Sequence, residues 1–237
     1  MSCCCGDKNA CLICGEELEY FPDRHEQMTC EICGKTVSSN VCCINGHFVC
    51  DQCHGRKSVE SVLSACREIS SQNPAEIAQR LFENSFVHMH GPEHHVLVGA
   101  SLITAYYNSG GKLELDEALK EMTQRGSQVP GGTCGFWGGC GAALSAGISF
   151  SIISGTTPLS GESWGLCNLL TSRILAAMGN IGGPRCCKRT SFLSVIEASK
   201  FMNEHLPQAV ETPHDVKCSF SHNNGECLKE RCPFYVK

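Results

Sequence analysis

Seven of the eight cysteines and one of the two histidines in residues 11–53 constrain the fold of this chain more than any other feature. They form four closely spaced pairs, and the first two pairs are CxxC sequences followed by a glycine. A CxxC turn brings two thiolates to one metal ion at the zinc–sulfur distance of roughly 2.3 Å. The sequence therefore predicts two structural zinc ions, held by Cys11, Cys14, Cys30, Cys33, Cys43, His47, Cys50 and Cys53. Cys42 and His54 are spare ligands next to this set.

The strand-prone segments between these pairs, such as residues 18–21, are short. A β-rich module of this size depends on its metal for folding. Spacing leaves two pairings open, because the ligand pairs either follow one another in sequence or alternate in a cross-braced pattern. The sequence GHFVCDQC at residues 46–53 resembles the knuckle of RING and other treble-clef fingers, which implies protein binding as one alternative role.

The bulk composition indicates a globular protein of a reducing compartment. A chain of 237 residues with 42% hydrophobic content can bury a core, and its twenty cysteines occur largely in CxxC and CC pairs rather than in a disulfide-type scaffold. We find no secretion signal and expect a cytoplasmic protein. The most apolar stretch, 142–153, is too short to cross a membrane. The net charge of -5 argues against general nucleic-acid binding.

Apolar residues recur at helical spacing from residue 56 onward, so the fold class predicted is mainly α. The predicted helices cover about 59–69, 74–82, 92–108, 115–124, 142–153, 164–178 and 190–205. The helix at 142–153 is rich in small residues and is expected to be central. The predicted organisation is a disordered tail (1–10), a β-rich zinc-ribbon or treble-clef-like module (11–55), an all-helical domain (56–209) and a cysteine-containing tail packed on it (210–237).

Three segments of unusual composition precede or open predicted helices: HMHGPEHH at 88–95, GGTCGFWGGCG at 131–141 and GGPRCCKR at 182–189. A helix N-terminus favours anions and lowers thiol pKa values, because its N–H groups are unpaired. The catalytic residues predicted from these segments are Cys134, Cys140, Cys186, Cys187, His90, Glu93 and His94. Glu93 is then a metal ligand or a base, and Arg185 anchors a small anionic substrate. The alternative is that these are glycine-rich turns between packed helices, with cysteines as small buried residues.

Three further cysteines, Cys218, Cys227 and Cys232, lie in the C-terminal tail, and the last precedes a proline. A Cys-Pro sequence is frequent at iron–sulfur ligands, whereas a zinc ion would take His214 or His222 as its fourth ligand. The sequence predicts metal ligation here and leaves a [4Fe–4S] cluster and a third zinc open.

On these motifs, the chain resembles an uncharacterised family of anaerobic bacteria and methanogenic archaea that carries HGPEHH, GGTCGFWGxCG, GGPRCCKR and a C-terminal CPF sequence. The resemblance extends over nearly all of residues 11–237 and implies no activity. Three functions stay open. The first is an enzyme of anaerobic redox, sulfur or one-carbon metabolism, acting on a small anionic substrate or with a partner redox protein. The others are a non-catalytic zinc adaptor and a metal or thiol sensor that uses Cys186 and Cys187; an oligomer is compatible with each.

Overall fold

The computed structural model describes residues 11–21 and 23–237. The predicted disordered tail, residues 1–10, lies outside the described residues. In the described part, a small N-terminal module with short strands is followed by a series of α-helices. This arrangement confirms the predicted mainly α class.

The module contains four strands, β1 (Leu18–Tyr20), β2 (Glu26–Thr29), β3 (Thr36–Ser39) and β4 (Val41–Cys43). They form two nested antiparallel pairs, because β1 pairs with β4 and β2 pairs with β3. Gly15 and Gly34 end the two CxxC knuckles with φ of 80° and 69°, in the left-handed region that favours glycine. Their N–H groups donate to the carbonyls of Cys11 and Cys30 at 2.8 Å, which closes each knuckle into a tight turn.

The helices of the described residues are α1 (Asp51–Glu68), α2 (Pro74–Phe82), α3 (His94–Asn108), α4 (Leu115–Gly126), α5 (Cys134–Trp137), α6 (Gly141–Ile153), α7 (Glu162–Ile181) and α8 (Cys187–His205). The sequence pattern predicts all except α5, which is too short to show a period. None of the helices in this part of the chain combines the length and apolar character needed to cross a membrane.

Two helix starts, those of α1 and α8, lie three or more residues from their predicted positions. α1 begins at Asp51, inside the last ligand pair of the module, so the boundary expected after Gly55 falls within a continuous helix. α8 begins at Cys187 rather than at Thr190, because the sulfur of Cys186 accepts the N–H of Arg189 at 3.5 Å and caps the helix earlier. The predicted cap of α2 is confirmed, since an asparagine side chain accepts two N–H groups of its first turn.

The helices α3 and α6 form the centre of the helical domain. α3 contacts α1, α2, α4, α6 and α8, and α6 contacts α3, α4, α7 and α8. The small residues of α6 allow close approach, as the hydrogen bond from the N–H of Gly99 to Oγ of Ser145 at 2.9 Å shows. The core between the helices includes an edge-on pair of Phe150 and Phe201, with ring centroids 5.4 Å apart.

The segment after α8 packs on the same core. The ring of Phe220 lies 5.8 Å from that of Phe82 in α2, and the ring of Phe234 lies 5.4 Å from that of Phe192 in α8. A hydrogen bond from the N–H of Cys218 to the carbonyl of Phe234, at 2.7 Å, joins the two ends of the segment. The tail cysteines are therefore held against the helical domain.

Replacing Gly126 by alanine should destabilise the protein. A Cβ there would lie 2.6 Å from the carbonyl oxygen of His95, so α4 has to move away from α3. We expect the free energy of unfolding to fall by about 1–3 kcal/mol, as overpacking of a core does. The matched control is Gly165→Ala in α7, where a Cβ has no neighbour within 4 Å and alanine should stabilise the helix by about 0.5–1 kcal/mol. Urea denaturation measures both, and equal stability of the two variants would contradict this packing.

Candidate metal sites and the cleft between module and helices

The first candidate metal site, site 1, lies at the outer strand pair and consists of Cys11, Cys14, Cys43 and His47. Their ligand atoms all lie within 4.8 Å of one another. The sulfur of Cys14 is 3.4 Å from that of Cys43 and 3.3 Å from Nδ1 of His47. Zinc–sulfur bonds of roughly 2.3 Å place the ligands of a tetrahedral ion about 3.8 Å apart. The group therefore fits one zinc ion with little rearrangement.

The second site, site 2, lies between the inner strand pair and the start of α1. It consists of Cys30, Cys33, Cys50 and Cys53, again with all ligand atoms within 4.8 Å of one another. The sulfurs of Cys33 and Cys50 are 3.7 Å apart, and the N–H of Cys50 donates to the sulfur of Cys30 at 3.3 Å. These distances also suit a tetrahedral ion.

The ligand pairs alternate between the two sites, so the module is cross-braced and the sequential pairing is excluded. The nested strands explain the alternation. In the outer pair, Leu18 lies opposite Cys43, which brings the first knuckle to the third ligand pair. The second knuckle reaches the fourth pair instead, because the N–H of Glu31 donates to the carbonyl of Phe48 at 2.9 Å.

The pKa values of several cysteine thiols in both sites are shifted from their usual range. A backbone hydrogen bond at Glu16 lowers the pKa of Cys14 to about 6, whereas burial raises the pKa of its neighbour Cys43 to about 11. In site 2, burial opposes ionisation of Cys30, but backbone N–H groups lower its pKa to about 6; burial raises the pKa of Cys53 to about 12. One thiolate in each site thus forms easily while another resists ionisation. A bound cation removes that resistance, which is why such clusters take up metal.

A third group of metal-ligating side chains lies where α1 meets the segment before α3. It consists of His54, His88 and Glu93, whose ligand atoms lie within 4.8 Å of one another. Oε1 of Glu93 accepts the backbone N–H of His88 at 2.9 Å and lies 3.1 Å from Nδ1 of the same residue. The two imidazole rings have centroids 4.5 Å apart. Within the described chain, the buried atoms Oε2 of Glu93 and Nδ1 of His54 have no hydrogen-bond partner.

The protonation states of this group suit metal binding. Burial opposes ionisation of Glu93, but the hydrogen bond from His88 and the neighbouring imidazoles outweigh it and lower the pKa of Glu93 to about 2. Burial lowers the pKa of His54, so its imidazole is neutral at pH 7. Carboxylates and neutral imidazoles are the forms that bind metals. A set of two histidines and one carboxylate leaves positions open on the ion, as catalytic zinc and non-haem iron sites do.

A cleft with a volume of about 160 Å³ lies between the module and the helical domain, next to this group. On the module side, its walls include Tyr20, Cys42 and Asp51, and His54 of the third group also lines it. On the other side the structure brings together several residues singled out from the sequence, namely His90, Cys134, Cys140, Arg185 and Cys187. These come from all three glycine-rich or histidine-rich motifs.

Three residues of the predicted catalytic set do not line the cleft. Glu93 and His94 are both 1% exposed and lie behind its wall. Nδ1 of His94 is 3.1 Å from the carbonyl of Gly91 and Nε2 is 3.2 Å from Nζ of Lys188, and burial lowers the pKa of His94 well below its usual range. Cys186 faces a different cavity, which it shares with the tail cysteines. The predicted set is therefore divided between two places.

The cations of the GGPRCCKR motif are divided in the same way. Arg185 lines the cleft, and its Nη2 donates to the hydroxyl of Tyr20 at 3.1 Å. Lys188 is buried, with Nζ donating to the carbonyl of His88 at 2.8 Å and lying 4.4 Å from the ring centroid of Phe82. Arg189 donates to two carbonyls of the preceding loop. Of the three, only Arg185 is placed to contact a ligand in the cleft.

Three cysteines of the cleft lie at helix starts, as the sequence predicts, but the pKa values of two of them are raised rather than lowered. Cys134 opens α5, Cys140 precedes α6 and Cys187 opens α8. Burial raises the pKa of Cys140 and raises that of Cys187 to about 12. Desolvation of a thiolate here outweighs the favourable end of the helix dipole. These two side chains are thiols at neutral pH.

The sequence leaves His54 as a spare ligand and places His88 in a cluster of four histidines, but it does not predict that the two meet at Glu93. His54 directly follows the last ligand of site 2, so its position next to a fixed metal ligand was the available signal. Asp51 was also missed; its Oδ2 accepts the N–H of Gly131 at 2.6 Å and ties the GGTCGFWGGCG motif to the start of α1. His95 lines the cleft as well, with Nδ1 2.9 Å from the carbonyl of Val129.

The fold and the sites together define a mainly helical protein with a cross-braced, two-site metal-binding module at its N-terminus. The chain belongs to a family of unknown function, DUF5714, which matches residues 62–235. The match includes the three motifs and the tail cysteines and leaves the module outside, so it is shorter than the resemblance over 11–237. No curated protein and no solved structure matches the chain.

The cross-braced pairing predicts how metal is lost when ligands are removed. Cys14→Ser takes a ligand from site 1 and Cys33→Ser takes one from site 2, so each single variant should lose one zinc ion and the double variant two. Sequential pairing would put both cysteines in one site, and the double variant would then lose a single ion. Elemental analysis and native mass spectrometry of the intact chain measure the difference. Cys42→Ser, in β4 but in neither site, is the matched control and should keep both ions.

Proposed function

We propose that the protein is a metal-dependent enzyme whose reaction takes place in the cleft between the module and the helical domain. The observation that carries this proposal is the group of His54, His88 and Glu93 beside a cleft that is also lined by Arg185 and by three cysteines of the helical domain. In this proposal, zinc ions in sites 1 and 2 are structural, because each site has four protein ligands and leaves no coordination position open.

His54, His88 and Glu93 would hold the catalytic metal. The buried Oε2 of Glu93 supports this assignment, since a carboxylate oxygen without a partner in the interior is costly unless a cation or a donor reaches it. A divalent metal such as zinc or iron(II) supplies a Lewis acid that polarises a substrate oxygen. The protein's part is to hold the group rigidly, through the hydrogen bonds of Glu93 to His88.

The cleft suits a small anionic substrate. Its volume of about 160 Å³ is that of a small organic molecule, and Arg185 offers a guanidinium group that can bind a carboxylate or phosphate through two hydrogen bonds. Burial, together with the charge of Arg185, lowers the pKa of His90, so this imidazole is neutral and able to accept a proton from the substrate.

The cysteines of the cleft favour redox, sulfur or one-carbon chemistry over simple hydrolysis. Cys134, Cys140 and Cys187 offer three thiol groups that a bound substrate or metal could engage, whereas a hydrolase of this kind needs only a metal and a base. The proposal also includes a further metal centre, either zinc or iron–sulfur, at the tail cysteines, and a reducing, cytoplasmic environment that keeps all these thiols available.

A second candidate function is binding of a partner protein by the module. Leu12, Ile13 and Ile32 lie inside the two CxxC knuckles and are 44%, 45% and 49% exposed. Aliphatic side chains displayed on a rigid metal-bound turn are suited to contacts with another protein. The sensor function gains no such support, because Cys186 and Cys187 face different cavities and do not present a joint pair of thiols.

Glu93→Gln tests the catalytic metal. The amide keeps the size of the side chain and removes its charge, so we expect affinity for zinc or iron(II) at this group to fall by at least about 100-fold while sites 1 and 2 keep their ions. Metal titration of the full chain, with cobalt(II) absorption to tell nitrogen–oxygen from sulfur ligation, measures the loss. His54→Ala should act in the same way. Glu117→Gln, exposed on α4, is the control; unchanged metal content in both site variants would contradict the proposal.

Arg185→Gln tests the substrate class. Removal of a charge-assisted pair of hydrogen bonds should weaken the binding of small carboxylates or inorganic phosphate by about 10-fold or more. Isothermal titration with a panel of such anions and with neutral analogues measures the effect. Arg173→Gln, in α7 and outside the residues that line the cleft, should leave anion binding unchanged. Equal affinity of both variants would show that Arg185 does not bind the substrate.

A further inference from the structure

A second cavity lies between the start of α8 and the C-terminal tail, and four cysteines line it: Cys186, Cys218, Cys227 and Cys232. Most of the other lining side chains are apolar or aromatic, such as Met89 and the phenyl rings of the tail. We infer that these four cysteines together hold a [4Fe–4S] cluster. The inference deepens the metal-binding part of the proposed function and rests on it, but it does not depend on the reaction in the cleft.

Backbone N–H groups donate to the sulfurs of the tail cysteines, as they do to the sulfurs of site 1. Cys218 and Cys227 each accept the N–H of the residue two positions further on, at 3.4 Å. In site 1, Cys11 and Cys43 accept the corresponding N–H at 3.4 and 3.3 Å. The tail therefore repeats the local geometry of a metal-binding knuckle twice. Such hydrogen bonds stabilise thiolate ligands and help to set the potential of an iron–sulfur cluster.

Cys186 joins the tail cysteines through Asn224. The side-chain amide of Asn224 is buried, and its Nδ2 donates to the sulfur of Cys186 at 3.4 Å. The N–H of Arg189 donates to the same sulfur at 3.5 Å, and the buried side chain of Arg189 lines the same cavity. A cluster with four thiolate ligands carries a net negative charge, which this buried cation partly offsets.

The fourth ligand differs from the two histidines that the sequence left open. His214 and His222 are exposed and do not line the cavity, whereas Cys186 is buried in its wall. This assignment moves Cys186 from the predicted catalytic set to the ligands of the tail centre. Its neighbour Cys187 stays in the cleft.

The spacing of the sulfurs favours a cluster over a zinc ion. In sites 1 and 2 the ligand atoms all lie within 4.8 Å of one another, and among the described residues the four sulfurs here do not form so compact a group. A tetrahedral zinc ion needs its sulfurs about 3.8 Å apart. In a [4Fe–4S] cluster each thiolate binds a different iron at a corner of the cube, so the sulfurs stand further apart around a central space. Four cysteines around a cavity fit the second arrangement.

The tail has little regular secondary structure, and a cluster bound by its cysteines would cross-link it to the helical domain. Between Leu206 and the C-terminus the regular structure consists of two single 3₁₀ turns, Ser221–Asn223 and Lys229–Arg231, and one isolated bridge. A segment with so few backbone hydrogen bonds of its own is held by what its side chains bind. The four cysteines bring residues 218–232 of this segment to the start of α8 at one cavity.

The test is anaerobic purification of the full chain, followed by reconstitution with iron(III), sulfide and excess dithiothreitol, which supplies the electrons that bring half of the iron to iron(II). Iron, zinc and acid-labile sulfide are then measured, together with visible absorption and the electron paramagnetic resonance spectrum after reduction. We expect four irons and four sulfides per chain and the spectrum of a reduced [4Fe–4S] cluster. A chain that binds zinc but no iron at these cysteines, after the same reconstitution, would overturn the inference.

Cys186→Ser and Cys187→Ser provide a matched pair, because the two residues are adjacent but face different cavities. Cys186→Ser should lower the iron content at least tenfold, and Cys187→Ser should leave it unchanged. Cys227→Ser, in the tail, gives a second ligand variant, and the zinc content of sites 1 and 2 shows that each variant is folded. Retention of the cluster in both ligand variants would contradict the assignment. Failure of the cleft proposal is seen separately, in Glu93→Gln.

Discussion

Metal ligation at the first turn of α1 is the constraint on which the cleft depends. Cys50 and Cys53 belong to site 2, and α1 begins between them, so the ion that closes the module also fixes the start of the helix. The next residue, His54, belongs to the third metal-ligating group. Oδ2 of Asp51 accepts the N–H of Gly131, in the opposite wall of the cleft, at 2.6 Å. Loss of an ion from site 2 would therefore release one member of the third group and one wall of the cleft together.

The adjacent Cys186 and Cys187 separate two environments at the start of α8. One sulfur faces the four-cysteine cavity and the other faces the cleft. His90 lines the cleft, and its Nε2 is 3.3 Å from Oδ1 of Asn224, whose Nδ2 donates to Cys186. A continuous line of hydrogen bonds thus runs from the cleft to the proposed cluster. Through this link the protonation state of His90 in the cleft and the charge of the proposed cluster influence each other, because the protein interior screens charges poorly.

The sequence predicts those features that depend on local spacing. The eight module ligands follow from CxxC turns, and most helices follow from apolar periodicity, since both are properties of a few neighbouring residues. The cross-braced pairing could not be predicted, because it depends on the nesting of β1 with β4 around β2 and β3. The group formed by His54, His88 and Glu93 joins segments more than thirty residues apart in sequence. Helix-start cysteines were expected to be thiolates, but the burial of Cys140 and Cys187 is a property of the packed domain.

The four-cysteine cavity and the group of His54, His88 and Glu93 differ in how much of each lies within the family match. All four cysteines of the proposed cluster lie within residues 62–235, so this centre is complete in the part of the chain that the family shares. The group beside the cleft is not, because His88 and Glu93 lie inside the match whereas His54 lies before it. The wall that carries Tyr20 also comes from the module. The module therefore supplies the third member of this metal-ligating group and one wall of the cleft, so the cleft is complete only where the module and the helical domain meet.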